Sequence, residues 1–461
     1  MKPYYKTKED VMQRAQDVLH KTLRAFIPES KIAEIEEALR KYGNDRKGFL
    51  GELAETFVFG LPRNTRSEAD FTLAGIELKT TPIIPHKTKR YRAKERLVFS
   101  MIDYNKVAGE TWESSSFLQK NKLLLILFYL YVAGKLIVDY EFKFIHLLDL
   151  LSGLSDADTL QIQADWEKIV AKIKRGEAHL LSDADTCYLG ACTKGSSTAK
   201  PKKQPFSNNL AKPRAFAFKQ KYLTILLQEI MSRKDIHSVM GKKPRLLEDA
   251  ILAKFQPFVG KTNIEIERAV NWHPEKRSKH YKRLLANRIL GGSGSNKIAE
   301  LEKSNTTLRA ITLEPSGQLT ESISFEAFDY KALLTEEWYR SGDDAHEPQL
   351  AGFHAQLEEQ RFLFVVFQKV RKSTHIVLKK VLFWNFPMRD LHHAQKVFDC
   401  TKDCIRRGDY ASLPKIADNP VAHVRPHGRD ASDTCVTPQG TYEVKRCFWL
   451  NAKYIQKAIE G

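Results

Sequence analysis

Two segments of this chain occur twice in the same order, and this repetition restricts how the chain can fold. The helical pattern from Trp166 to Glu177 is repeated from Phe398 to Asp409, and the Arg-Gly pair near the end of each copy predicts that the helices stop at Gly176 and Gly408. The apolar run that follows Lys122 is repeated after Arg361. Two matches in one order predict a degenerate internal duplication.

The length of the chain agrees with two related halves. A chain of 461 residues is too long for one ordinary hydrophobic core. We therefore predict a first domain over residues 1–232, a linker over 233–245 and a second domain over 246–461.

The charge of the chain indicates an anionic partner. Lysine and arginine total 74 against 56 acidic residues, a formal net charge of +18. DNA, RNA or an acidic membrane surface would account for that surplus. The longest apolar run, residues 123–134, is too short to cross a bilayer, and residues 1–8 contain no apolar signal core. We expect a cytoplasmic protein without a membrane partner, and the six cysteines fit a reducing compartment.

The periodicity of apolar residues predicts an α/β first half. Helical spacing predicts helices over residues 8–26, 29–41, 48–59 and 222–232, whereas buried strands are predicted over residues 97–102 and 123–132. Residues 70–81 have the pattern of a strand, a tight turn and a second strand. Residues 194–221 contain eight basic residues, no acidic residue and many turn-forming residues, so we expect a loop there.

A group of charges inside the 70–81 segment is the best candidate for chemistry. Asp70 begins the first predicted strand, and Glu77 and Lys79 share one face of the second because residues i and i+2 point the same way. Asp70, Glu77 and the carbonyl of Leu78 could hold Mg²⁺, with Lys79 orienting or helping to deprotonate a water molecule. As a bare pattern, the same residues also fit a solvated, salt-bridged strand pair.

Several ordered segments of the first half resemble the mismatch-repair endonuclease family MutH. They are Asp70-Phe-Thr-Leu-Ala-Gly-Ile-Glu-Leu-Lys, Lys47-Gly-Phe-Leu-Gly-Glu-Leu-Ala-Glu, Thr111-Trp-Glu-Ser-Ser-Ser-Phe-Leu-Gln-Lys, Ala164-Asp-Trp-Glu and Pro213-Arg-Ala-Phe-Ala-Phe-Lys. The resemblance implies a restriction-endonuclease-like α/β fold of the PD-(D/E)xK type and dependence on Mg²⁺. It places two further active-site residues at Glu55 and Lys120.

The second half of the chain resembles the second half of the Sau-type restriction endonucleases, which is a decayed MutH-like domain. The resemblance implies cutting of both DNA strands before the G of GATC, with 5′-phosphate ends, and a second half that binds DNA or regulates. Our alignment places Thr307 and Arg309 where the first half has Glu77 and Lys79, so we expect one active centre per chain. Pairing of two chains on DNA would then allow both strands to be cut.

The resemblance leaves the base-reading residues open. Cys192 stands where the family has an arginine, and Ala217 where it has a tyrosine, whereas Lys194 is kept. We expect Lys194, Arg214, Lys219 and, in the second half, Arg425 to bind DNA. Arginine can read guanine through two hydrogen bonds, but any one of these residues could equally contact only phosphate.

The sequence therefore favours a Mg²⁺-dependent type II restriction endonuclease that cuts duplex DNA at GATC and has a cognate methyltransferase. A MutH-like enzyme that nicks one strand is the nearest alternative. A DNA-binding regulator that keeps the fold without catalysis is the alternative from another class.

Overall fold

The computed structural model describes residues 5–42, 48–62, 68–86, 90–194, 200–232, 244–275, 278, 280–292, 298–339 and 352–460. The chain divides into two compact units that meet in sequence between Leu246 and Leu247, apart from residues 182–185, which belong to the second unit. The predicted linker, residues 233–245, lies almost entirely outside the described residues, and its bounds remain a prediction. No helix in the described parts of the chain has the length and apolar content to span a membrane.

The first unit mixes helices and strands, as the sequence predicts. Its elements are α1 (Lys8–Gln16), α2 (Glu29–Tyr42), α3 (Phe49–Leu53), β1 (Ile76–His86), β2 (Arg90–Ala93), β3 (Leu97–Met101), α4 (Tyr104–Val107), α5 (Ser116–Asn121), β4 (Leu123–Leu130), β5 (Phe142–Asp149), α6 (Asp156–Lys174), β6 (Leu189–Thr193), β7 (Lys202–Gln204), β8 (Ser207–Ala211), β9 (Arg214–Phe218) and α7 (Gln220–Ser232).

The main sheet of the first unit has the strand order β2-β1-β4-β5. Strands β1 and β4 are parallel, with Glu77 opposite Leu124 and Lys79 opposite Ile126. Residues 123–128 of β4 are all buried, because a central strand covered on both faces needs apolar side chains in every position. A second sheet has the order β3-β9-β6, and β7 and β8 form a separate hairpin.

Helix α6 shows how local sequence sets the ends of an element. The hydroxyl of Ser155 accepts a hydrogen bond from the backbone N–H of Asp158 and caps the first turn. The helix ends where Gly176 adopts a left-handed φ of +71°, a conformation that suits glycine. The stop predicted at Gly176 is therefore confirmed.

Two first-half predictions need correction. The predicted helix over residues 8–26 ends at Gln16, because His20 has a φ of +61° and its N–H bonds to the carbonyl of Phe142 on the main sheet. The basic segment 194–221 is not one loop. Among its described residues it contains β7, β8 and β9, and β9 is buried at every position.

The second unit is also α/β. Its elements are α8 (Leu247–Phe255), α9 (Asn263–Ala269), α10 (Tyr281–Ile289), α11 (Ala299–Lys303), β10 (Thr306–Leu313), β11 (Ile323–Ala327), α12 (Tyr330–Thr335), α13 (Gly352–Glu359), β12 (Arg361–Lys369), β13 (Ile376–Asn385), α14 (Leu391–Arg407), β14 (Ala422–Pro426), β15 (Thr434–Val436), β16 (Tyr442–Val444), β17 (Arg446–Leu450) and α15 (Ala452–Glu460).

The sheets of the second unit repeat those of the first, except that no described strand corresponds to β2. The strand orders are β10-β12-β13, β11-β17-β14 and β15-β16, with β10 parallel to β12 as β1 is to β4. The long helix α14 ends at Gly408, whose φ is again +71°. Once β2 is set aside, the order of strands and helices from β1 to α7 is the same as that from β10 to α15, which supports the predicted duplication.

Candidate active site

A tight turn places Asp70 beside β1. The carbonyl of Phe71 accepts hydrogen bonds from Gly75 and Ile76, and the N–H of Phe71 bonds to the carbonyl of Ile76 at 2.9 Å. The predicted strand before this turn is reduced to that single bridge. The Phe71 ring is buried and anchors the turn in the core. As a result, an Asp70 carboxylate oxygen accepts the N–H of Leu78 at 2.9 Å.

Strand β1 and helix α5 bring two ammonium groups to one carboxylate. The Lys79 Nζ lies 2.7 Å from Oε1 of Glu77, and the Lys120 Nζ lies 3.6 Å from the same oxygen. The Glu77 side chain is only 3% exposed. Helix α5 presents Lys120 in its last turn and is capped by the Ser115 hydroxyl, which accepts the N–H of Leu118.

Glu55 reaches the same group from an irregular helix. Helix α3 continues into a π-helical turn at Ala54–Val58, a deformation that often occurs at functional sites. Glu55 lies in this turn and is half-buried. Burial, reinforced by the nearby charges of Asp70 and Glu77, raises the pKa of Glu55 to about 7.

These side chains thus form a partly buried cluster in which carboxylates outnumber ammonium groups. Burial raises the pKa of Glu77, the ammonium of Lys79 opposes that rise, and Asp70 adds to it. Three carboxylates face two ammonium groups, and like charges this close make ionisation costly. The structure therefore brings together all five residues that the sequence assigned to the active site: Glu55, Asp70, Glu77, Lys79 and Lys120.

A divalent cation fits this arrangement. Oε2 of Glu77 is buried without a hydrogen-bond partner, although a buried carboxylate oxygen is costly to leave unsatisfied. In the described residues no group of three or more His, Cys, Asp or Glu side chains is placed to hold a metal ion. Mg²⁺ does not need such a group, because it is commonly bound by one or two carboxylates with water and phosphate completing its shell. Asp70 and Glu77 are the two carboxylates that could hold such an ion here.

Two of the residues expected to bind DNA are buried in this structure, which contains no DNA, and their role stays a prediction. Arg214 is 2% exposed and donates a hydrogen bond to the carbonyl of Ala191 at 2.6 Å. Lys219 is 3% exposed and donates to the carbonyl of Thr186 at 2.6 Å. Both cations satisfy backbone oxygens at β6 and just before it, so neither is presented to a ligand at the surface.

The other two expected DNA contacts stay predictions. Lys194 directly follows β6 and is half-buried, and its N–H bonds to the carbonyl of Pro213 at 2.8 Å. Arg425 is exposed on β14, with its guanidinium 4.7 Å from the centre of the Trp449 ring.

Asp165 is a supporting residue that sequence reasoning missed. This fully buried carboxylate of α6 accepts the N–H groups of Cys187, Tyr188 and Leu189 at 2.8, 2.5 and 2.9 Å. It thereby fixes the start of β6. Burial raises the pKa of Asp165, and the three amides oppose that rise. The sequence feature that could have identified Asp165 is a carboxylate within the apolar stripe of an amphipathic helix, one residue before Trp166.

The corresponding place in the second unit lacks these acids. Thr307 lies opposite Phe362 and Arg309 opposite Phe364, the second and fourth pairs of their parallel ladder, as Glu77 and Lys79 are in theirs. The Thr307 hydroxyl accepts a hydrogen bond from Gln360, and Arg309 donates to the carbonyl of Ser324. The structure thus places a hydroxyl and a guanidinium where the first unit has a carboxylate and an ammonium.

Comparison with known proteins also distinguishes the two halves of the chain, because the matching family model lies within the first half. The model of the family described as "MutH: DNA mismatch repair enzyme MutH" matches residues 59–165. That range includes Asp70, Glu77, Lys79 and Lys120, whereas Glu55 precedes it.

One of the individual relatives extends the match to both halves. The type II restriction enzyme Sau3AI of Staphylococcus aureus is 29% identical over an alignment that covers 99% of each chain. The DNA mismatch repair protein MutH of Vibrio cholerae is 29% identical over 38% of this chain and 74% of its own length. That of Vibrio campbellii is 32% identical over 28% of this chain and 51% of its own. The predicted resemblance and fold class are confirmed: the chain is similar over 99% of its length to a type II restriction enzyme, and its first half is MutH-like with a restriction-endonuclease-like α/β fold.

Proposed function

We propose that this protein is a Mg²⁺-dependent type II restriction endonuclease that cuts duplex DNA at GATC. The observation that carries the proposal is the cluster of three carboxylates and two lysines around Glu77, with one buried carboxylate oxygen left unpaired. The full-length relative named as a type II restriction enzyme supports the same activity.

Some residues of the cluster would bind the metal, and others act on the attacking water and its proton. Asp70 and Glu77, with the carbonyl of Leu78, would hold the metal, which would acidify water and stabilise charge on the phosphate. Lys79 orients the attacking water, and its side chain, once it has released its own proton as a neutral amine, helps to take the proton of that water. Lys120 neutralises charge at Glu77, and Glu55 completes the acidic group.

The products follow from which bond breaks. Water adds to phosphorus and the bond to the 3′ oxygen breaks, so the proposal gives a 5′-phosphate end and a 3′-hydroxyl end. By analogy with the Sau-type enzymes, the cut lies before the G. One catalytic cluster per chain then cuts two strands if a second copy of the protein joins it on the DNA. A methyltransferase that modifies GATC would protect the host.

A plasmid assay tests the proposal. The purified protein with Mg²⁺ is expected to convert a supercoiled plasmid that contains GATC into linear fragments whose ends lie at that sequence. The Asp70→Ala variant is expected to lose cleavage while binding the same DNA within about tenfold. Unchanged cleavage in Asp70→Ala would refute the assignment of this cluster.

The same assay separates restriction from strand nicking. Linear product without accessory proteins supports restriction, whereas persistent nicked circles would favour a MutH-like nickase. A protein that binds DNA and never cuts it would favour a regulator. The match over both halves of the restriction enzyme favours the first outcome.

A further inference from the structure

A large aromatic side chain projects from the turn between β7 and β8. Phe206 is 76% exposed, more than any other large apolar side chain in the described residues. Its backbone φ is +63°, a left-handed conformation that is costly for a bulky residue. Neither burial of the ring nor backbone preference explains a phenylalanine here. Some other contact is therefore needed to account for it.

The hairpin that carries Phe206 is held firmly to the rest of the unit. The buried side chain of Gln204 accepts the N–H of Ala178 at 2.7 Å and donates to the carbonyl of Asn209 at 2.6 Å. Gly176 has no room for a side chain, since a Cβ there would lie 2.6 Å from the carbonyl oxygen of Phe206. The turn is thus seated on the end of α6, and the ring is presented from a fixed platform.

The second unit repeats this construction. The side chain of Gln439, between β15 and β16, donates to the carbonyl of Ile405 at 2.8 Å, at the end of α14. A Cβ on Gly408 would lie 3.5 Å from Gln439. Tyr442, the first residue of β16, is 71% exposed. An exposed ring on a hairpin anchored to a glycine-terminated helix therefore occurs twice, which argues against an accident of one loop.

The first hairpin is also strongly basic. Residues 200–212 contain four lysines and no acidic residue, and Lys202 and Lys203 of β7 are exposed. The second hairpin carries Glu443 instead, so the charge argument applies to the first hairpin alone. Ammonium groups beside an exposed ring suit a partner with closely spaced phosphates and flat apolar surface. Duplex DNA offers both, because side chains such as phenylalanine can enter its minor groove between base steps.

We infer that the β7–β8 hairpin is a DNA contact of the proposed nuclease, in which Phe206 packs into a groove and Lys202 and Lys203 bind the flanking phosphates. The inference rests on the proposed function, because it names the substrate as duplex DNA. It adds a binding element that is separate from the carboxylate cluster.

Affinity for a duplex oligonucleotide containing GATC, measured with the full chain and without divalent metal, tests the inference. Phe206→Gly is expected to weaken binding by about tenfold while keeping or raising the melting temperature, because glycine relieves the left-handed φ. Phe206→Trp is expected to keep the affinity. Replacing both Lys202 and Lys203 by alanine is expected to reduce the slope of log affinity against log salt by about 1.8, at about 0.9 per phosphate contact.

Leu160→Ala, an exposed apolar side chain on α6, is the matched control and is expected to bind as the wild type does. Wild-type affinity in Phe206→Gly, or an unchanged salt slope in the double lysine variant, would overturn the inference. Either result would leave the proposed function intact if the wild type still binds and cleaves. A wild-type protein that does not bind the duplex at all would instead overturn the proposed function.

Discussion

Replacing Glu55 by glutamine should make the metal-free protein more stable at high pH. Glu55 lies near Asp70 and Glu77, and its pKa is raised to about 7 by burial and by those two charges. An acid whose pKa is higher in the folded state contributes stability that is fully present below its unfolded pKa. That stability is lost as the pH rises through the folded pKa. Glutamine keeps the shape of the side chain and never ionises.

The size of the effect follows from the two pKa values. Between an ordinary value of 4.5 and a folded value of about 7, the cost of ionisation reaches about 3.4 kcal/mol at 1.36 kcal/mol per pH unit. Glu55 is only half-buried, and solvent screening reduces that figure to roughly 1–2 kcal/mol. The window in which this stability is lost runs from about pH 4.5 to pH 7.

Urea unfolding of the wild type and Glu55→Gln at pH 5 and pH 8, without divalent metal, measures the difference. The stability advantage of Glu55→Gln is expected to be about 1 kcal/mol larger at pH 8 than at pH 5. Glu113→Gln, the same change at an exposed position of the first unit, is expected to show no such dependence. An advantage that is equal at both pH values, or that falls at pH 8, would refute the electrostatic description of the cluster.

Three further substitutions test separate parts of the account. Asp165→Asn should lower the free energy of unfolding by about 2–3 kcal/mol, because the single oxygen of an amide cannot accept all three backbone N–H groups. An unchanged free energy of unfolding in urea would contradict the role of Asp165 in fixing the start of β6. Gly176→Ala should cost about 1–3 kcal/mol through its left-handed φ and the crowding against Phe206, and a melting temperature equal to that of the wild type would show that the turn is not seated there. Lys79→Arg should lower the single-turnover cleavage rate at least about 100-fold, since a guanidinium does not release a proton. Full activity in Lys79→Arg would remove the proton-transfer role.

Features that depend on local sequence could be predicted. The uninterrupted apolar run after Lys122 predicted the buried central strand, because such a strand needs apolar residues on both faces. The left-handed stop at Gly176 followed from a glycine after an amphipathic helix. The alternation of Ile76, Glu77, Leu78 and Lys79 placed the acid and the lysine on one face, and the structure holds them 2.7 Å apart.

Features that depend on distant partners could not be predicted. Arg214 and Lys219 belong to the segment expected to be a loop, but both are buried, where the carbonyl oxygens of Ala191 and Thr186 accept their hydrogen bonds. The lysine-rich and asparagine-rich composition of β7 and β8 favours a loop, and the hairpin is held by tertiary hydrogen bonds from Gln204. No composition rule signals the π-helical turn that carries Glu55.

The single-turnover rate of Mg²⁺-dependent cleavage by Glu77→Gln tests the central claim most directly. The substrate is a duplex with one GATC site, at a protein concentration that saturates binding, and Glu113→Gln is the matched control. The cluster at Glu77 predicts a loss of at least about 1000-fold in Glu77→Gln, a barrier increase of about 4 kcal/mol, with the control unaffected. Cleavage by Glu77→Gln at the wild-type rate would place the chemistry elsewhere in the protein.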